Sequence, residues 1–372
     1  MQQDTLSLDS PGLPRTGAPD DAGFELGWDH ARHGLVPPPG LLLDGTPVGQ
    51  GWRAGKAVFG ARTLAASRAV RQWLELRTEA WRQGIGFETG QLGAAHLASL
   101  EVERCPVLRL RLGGCEESAP RFERLNPQAA YAAGNVVQMS RAAAAARAGV
   151  DIAEAVRRAR RSEITAEPVH GLDAGAWWRV AVLRSFTTPL PFAEAARLPL
   201  AVLPPNRVRL LNGVQGLQAL LTLQFCAPGW GERLRRIADL LPEHSLRHDF
   251  NLFVGALVPR VLQAQALQLD LRRTLEDAWT AERVMRRWQH FALSLGEAGC
   301  DALLARVAET PLPGRVTLWH EPAQAVEGWG LEAPAPRAPL PAAEPRPARR
   351  RTDRTPRPRA LRATAPLRPS AT

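Results

Sequence analysis

From Gly171 to Thr310 the large apolar side chains recur at intervals of three and four residues, and this spacing constrains the chain more than any other feature. Trp177, Val180 and Ala181 share one face if Asp173 caps a helix, Leu217, Leu221 and Phe225 share another, and Trp279, Met285, Trp288 and Phe291 mark a third. A strand alternates its side chains and cannot present such a set on one side. The pattern predicts helices near 213–226, 231–241, 244–266, 270–295 and 297–308, with Pro189, Pro191, Pro204 and Pro205 breaking the intervening stretch into short pieces. No fixed period repeats, so the expected fold is mainly α, an orthogonal helical bundle over 163–332 rather than a solenoid. Trp177, Leu217, Leu221, Phe225, Trp279, Trp288 and Phe291 are its expected core.

The region 24–103 has a different texture. Pro37-Pro38-Pro39-Gly40 and several glycines predict loops over 24–60. Asp29, His30 and His33 fall in that stretch, where they tie down backbone more readily than they hold a metal. His244 and His248 stand one helical turn apart without the intervening Glu that a zinc-protease helix needs. Val70, Trp73, Leu74 and Trp81 form an apolar stripe on a helix that Thr63 would cap and Gly84 would stop, and a short helical turn follows within Leu92–Leu100. Near the other end, Arg315–Trp319 alternates like a short strand.

Charge is distributed unevenly. The formal net charge of +10 looks like a nucleic-acid signal, yet Ala333–Thr372 alone contains ten Arg against Glu344 and Asp353, leaving the rest of the chain nearly neutral. Lys56 is the only lysine beside 46 arginines, an imbalance that points to GC-rich coding before it points to phosphate forks. The 333–372 segment also holds ten Pro and no aromatic residue, so it cannot bury enough surface to offset chain entropy and is expected to be disordered, as is 1–23. Arg349, Arg350, Arg351, Arg354, Arg357 and Arg359 are its candidate nucleic-acid contacts, acting through phosphates. Cys105, Cys115, Cys226 and Cys300 form no CxxC pair, the first residues carry no signal-like apolar run, and no stretch is long and apolar enough for a membrane span, which together predict a cytoplasmic protein with reduced thiols.

Residues 104–162 combine several local signals. Arg104-Cys105-Pro106-Val107 leads to Arg121-Phe122-Glu123-Arg124-Leu125-Asn126-Pro127, then to Tyr131-Ala132-Ala133-Gly134-Asn135-Val136-Val137-Gln138-Met139-Ser140. Ala142–Ala146 form a strong helix former, and Asp151 with Glu154 is a capping box for a further helix. Val107–Leu112 and Val136–Met139 are expected to pair as strands, with the alanine helix packed on them and capped by Ser140.

Over 104–150 this pattern resembles the phage-type HNH (ββα-metal) endonucleases related to recombination endonuclease VII. The resemblance implies a ββα scaffold in which a strand acid and a helix Asn or His hold Mg²⁺ or Mn²⁺ while a base activates water. The strand acid falls on Glu123, a candidate catalytic residue and metal ligand, Asn135 is the second catalytic candidate, and Tyr131 and Gly134 match the turn. The family's helix Asn falls on Ala144, its Lys becomes Arg147, and 104–150 contains no histidine; His96 stands just upstream. Turn-forming residues thus survive better than metal-binding ones. The reading that follows is a degenerate, inactive scaffold with no cofactor, in which Glu123 stands alone or pairs with Arg124 or Arg147, both candidate nucleic-acid contacts. Three functions stay open: a DNA-associated protein of phage or plasmid type tethered by its basic tail, a divergent metal-dependent endonuclease, and a structural or interaction protein with no nucleic-acid role.

Overall fold

The computed structural model describes residues 19–43, 45–310 and 322–331. The chain divides into Met1–Pro334 and Ala335–Thr372; the second unit, and with it the six tail arginines, lies outside the described residues, as does Arg315–Trp319.

The glycine-rich start is helical, which corrects the expectation of loops over 24–60. Helix α1 (Pro19–Arg32) packs along α2 (Pro47–Phe59), and α2 begins with Pro47 at its first position and the Thr46 side chain accepting from Gly49 N at 3.1 Å. The glycines serve closeness rather than flexibility. A Cβ on Gly27 would run into the Val48 carbonyl, and one on Gly51 would run into the Phe24 carbonyl, so only glycine lets these two backbones meet. Helix α3 (Arg68–Arg82) is capped by Ser67, not Thr63, and ends ahead of Gly84, whose φ of +65° lies in the left-handed region. Helix α4 (Ala94–Ser99) follows. Asp29 reaches across to Arg77 at 2.5 Å and so fastens α1 to α3, while His30 Nδ1 lies 2.9 Å from the Leu26 carbonyl one turn back in α1 itself.

A hairpin comes next. Strand β1 (Pro120–Arg124) pairs antiparallel with β2 (Val136–Ser140), placing Glu123 opposite Val137 and Arg124 opposite Val136. The first strand is therefore 120–124 and not Val107–Leu112. The latter segment folds back on itself through Arg109, whose φ is +59°, with Cys105 N donating to the Leu110 carbonyl at 2.9 Å. Its apolar alternation is satisfied by packing, since Val107 is buried in the main core and Leu108, Leu110 and Leu112 lie against it. Helix α5 (Arg141–Arg147) starts at Ser140, whose Oγ accepts from Ala143 N at 3.3 Å. Helix α6 (Ile152–Thr165) starts at Asp151, which accepts from Glu154 N at 2.7 Å.

The remaining helices build the bundle: α7 (Ala174–Phe186), α8 (Phe192–Arg197), α9 (Gly213–Phe225), α10 (Trp230–Asp239), α11 (His244–Ala266), α12 (Leu271–Ala278) and α13 (Glu282–Glu309). The helix expected over 270–295 is interrupted at 279–281, and α13 runs on past a kink at Gly296, φ +72°. Trp177, Leu217, Leu221, Phe225, Trp279, Trp288 and Phe291 are all buried. The indole nitrogens of Trp279 and Trp288 find the Thr222 hydroxyl at 2.9 Å and the Ala196 carbonyl at 3.1 Å, so burial leaves neither donor unpaired. One apolar core runs from Cys105 and Val107 through Val137, Met139 and Ala143 to Trp177, Trp288 and Val307, so hairpin and bundle share it. None of the described helices is long and apolar enough to cross a membrane.

The last described segment straps the hairpin loop. After the short helix α14 (Pro322–Ala325), Trp329 is fully buried with Ala129, Ala132 and Leu211. Its indole donates to the Ala133 carbonyl at 3.0 Å, and its own carbonyl accepts from Ala130 N at 2.8 Å. Arg209 adds bonds to the carbonyls of Gln324, Ala325 and Glu327.

Candidate functional site

The hairpin, its loop and α5 bring Glu123, Arg124, Tyr131, Asn135 and Arg147 into one neighbourhood. Residues 121 and 123 share a face of β1 because strand side chains alternate, while Phe122 on the other face packs with Tyr131, Val136 and Leu97. Glu123 is 27% exposed and makes two long ion pairs, from Oε2 to Arg147 Nη1 at 3.8 Å and from Oε1 to Arg121 Nε at 3.9 Å. Both lie outside hydrogen-bond range. Of the two arginines expected to face it, Arg147 does so and Arg124 does not.

Arg124 is committed elsewhere. Its guanidinium donates to the Pro127 carbonyl at 2.8 Å and the Ala129 carbonyl at 2.6 Å, and it lies 5.1 Å from the centre of the Tyr131 ring. Arg147 is buried, with Nη2 donating to the carbonyls of Arg124 at 2.8 Å and Leu125 at 3.3 Å. Burial pushes its pKa down to about 10 against the opposing pull of Glu123, and Arg184 and Arg124 add repulsion. Both guanidiniums hold the 124–129 backbone, Arg124 with two donors and Arg147 through Nη2, which leaves Arg147 Nη1 facing Glu123. Burial, joined by the Glu123 charge, raises the Tyr131 phenol above its ordinary value, and Tyr131 stacks on Phe87 at 6.0 Å.

Asn135 is likewise committed to the backbone of the hairpin loop. It is 0% exposed; its Oδ1 accepts from Asn126 N at 2.8 Å, and its Nδ2 donates to the carbonyls of Asn126 at 3.1 Å and Ala130 at 3.0 Å. Both N–H donors of that amide are spent on backbone, and the side chain is closed to solvent. Gly134, φ +88°, is required twice, because a Cβ there would adopt a disfavoured conformation and would strike the Arg209 side chain. His96 sits in α4, and the charges acting on it are Arg207, Arg209 and Glu88 rather than Glu123; burial first, then the two arginines, lower its pKa.

A divalent cation does not fit this donor set. Glu123 is the one carboxylate among Arg121, Arg124 and Arg147, Ala144 supplies no side-chain oxygen, and Arg147 already sets a positive charge against that carboxylate. Among the described residues, no three His, Cys, Asp or Glu side chains converge as a metal site. Sequence reasoning missed Arg121 and Arg184. The i, i+2 spacing of Arg121 and Glu123 on a strand was a usable signal, whereas the approach of Arg184 on α7 to Arg147 had none. Comparison with family models, curated proteins and solved structures finds no match to the chain.

Proposed function

We propose that the protein is a non-catalytic, DNA-associated protein of phage or plasmid type, built on a degenerate HNH-like scaffold and held to duplex by its arginine-rich C-terminal segment. The observation that carries this reading is the Arg147 guanidinium facing Glu123 at 3.8 Å, a fixed cation opposite the carboxylate that the resemblance would make a metal ligand. The hairpin followed by a Ser140-capped helix supports the scaffold half of the proposal. The charge of 333–372 supports the DNA half, since phosphate neutralisation by Arg needs no ordered interface.

Two assays test it. In plasmid nicking with Mg²⁺ or Mn²⁺, neither the wild type nor Glu123→Ala should cut; cutting by the wild type that is lost in Glu123→Ala would restore the divergent endonuclease. In electrophoretic shift, the full chain should retard duplex DNA, and replacing Arg349, Arg350, Arg351, Arg354, Arg357 and Arg359 together with Gln should abolish most of the shift at moderate salt. A wild type that fails to bind DNA would leave the structural or interaction protein as the surviving reading.

A further inference from the structure

We infer that the module has inverted the polarity of its site: where the scaffold would hold a metal cation, Arg121 and Arg147 take a phosphate oxyanion, which displaces Glu123 from between them. The inference rests on the DNA-associated reading for the source of that phosphate, a phosphodiester of a nucleic-acid strand, and on geometry for the site itself.

Glu123 is held loosely. Its carboxylate is approached by one guanidinium at each oxygen, at 3.9 Å from Arg121 and 3.8 Å from Arg147. These distances are too long for the charge-assisted hydrogen bonds that an arginine–carboxylate fork forms when well seated, at about 2.7–2.9 Å. Among the described residues no hydrogen bond fixes the side chain, which stands on a strand face with 27% of its surface open. The arginines are the better-positioned partners. Arg147 is anchored through Nη2 to two backbone carbonyls, so that Nη1 is aimed at the Glu123 position without further loss of freedom. Arg121 has 52% of its side chain exposed and can meet an incoming strand first. Arg124 and Arg184 lie near enough to repel Arg147, and with Asp151 beside Arg184, Glu123 is the carboxylate that answers Arg147.

A phosphodiester presents the same chemistry as the displaced group, two anionic oxygens in a plane that a guanidinium fork can match. It carries the same single charge on a ligand that can approach both arginines to hydrogen-bonding distance. Glu123 therefore acts as a resident stand-in for phosphate, keeping the desolvated Arg147 paired until a strand arrives.

The test uses the full chain with the six tail arginines changed to Gln, so that the tail does not mask the module. Fluorescence anisotropy with a labelled DNA duplex at low salt, and thermal shift with inorganic phosphate, supply the two probes. Glu123→Gln should bind duplex about fivefold tighter, the loss of one like charge a few ångströms from the phosphate. Arg121→Gln, an exposed change that leaves the fold intact, should bind about threefold weaker. Glu116→Gln, which removes an exposed charge from the same module, is the control. Tightening by Glu123→Gln beyond the control supports the site. Tightening for inorganic phosphate with no duplex binding in any variant would keep the anion site and overturn the DNA-associated reading. No tightening for either probe, or equal tightening in Glu116→Gln, would overturn the site.

Discussion

Asn135 offers the sharpest separation of scaffold from catalyst. Replacing it with Ala leaves two backbone groups without partners, Asn126 N–H and the Ala130 carbonyl, and takes from the Asn126 carbonyl one of its two donors, Ala129 N at 3.3 Å remaining. Each such orphan costs about 1–3 kcal/mol, and the small cavity left behind offsets part of it by admitting water, so the variant should lose about 2–4 kcal/mol. Asn135→Asp should be worse. A carboxylate only accepts, so one of its oxygens would face two carbonyl oxygens that now receive a donated hydrogen, and its charge would be buried without a counter-ion. The order of stability is thus wild type, then Ala, then Asp, read from urea midpoints followed by tryptophan fluorescence. At a metal-binding position the order of the variants would reverse, because Asp keeps an oxygen ligand and Ala does not. An Asn135→Asp variant as stable as the wild type, or an Ala variant losing less than about 1 kcal/mol, would refute the loop-pin role.

Two further outcomes follow from the core and from the first helix. Trp288 is fully buried among Phe253, Trp279 and Phe291, with ring centres 5.3, 5.3 and 6.0 Å away, so Trp288→Ala should cost about 3–5 kcal/mol by denaturation, and a loss below about 1 kcal/mol would remove it from the core. His30 has its pKa held below the ordinary 6.5, first by burial and then by Arg77 against the pull of its bond to Leu26. As pH falls the unfolded chain therefore takes up this proton before the folded one, so the His30 contribution is whole above about pH 6.5 and declines below it. The urea midpoint should fall between about pH 7.5 and 5.5. His30→Gln should flatten that slope, and an unchanged slope would assign the pH dependence elsewhere.

What the chain discloses before folding is mostly what is decided locally. Ser140, Asp151 and Asp173 cap their helices because an N-cap needs only its own next three residues, and all three are readable as such. The apolar stripe carrying Trp279, Trp288 and Phe291 is readable for the same reason. The glycines of α1 and α2 mislead, since Gly27 and Gly51 look like flexibility until their opposite backbones are in place. Val107–Leu112 misleads in a second way. Its alternation is that of a strand, but Arg109 is claimed by Glu276 at 3.1 Å and Asp277 at 2.7 Å, and Arg179 Nε donates to the Val107 carbonyl at 2.5 Å. Those partners lie far along the chain, where no window of sequence can anticipate them. At the candidate site the residue types at 123, 131, 134 and 135 are legible, but their commitments are not: nothing in the spacing says that Asn135 and Arg124 spend their side chains on carbonyls.

The strap has a consequence for synthesis. A chain leaves the ribosome from its N-terminus, and the hairpin with its capped helix is available to fold early because its contacts are local. Trp329, however, reaches Ala133 across 196 residues. Until 322–331 emerges, Ala130 N–H and the Ala133 carbonyl lack their partners, and Ala129, Ala132 and Leu211 remain uncovered. A loop made in the first half of synthesis is thus sealed near its end. A translation product stopped short of Pro322 would carry an otherwise complete bundle with its hairpin loop open, a substrate for chaperones and proteases rather than a smaller working protein.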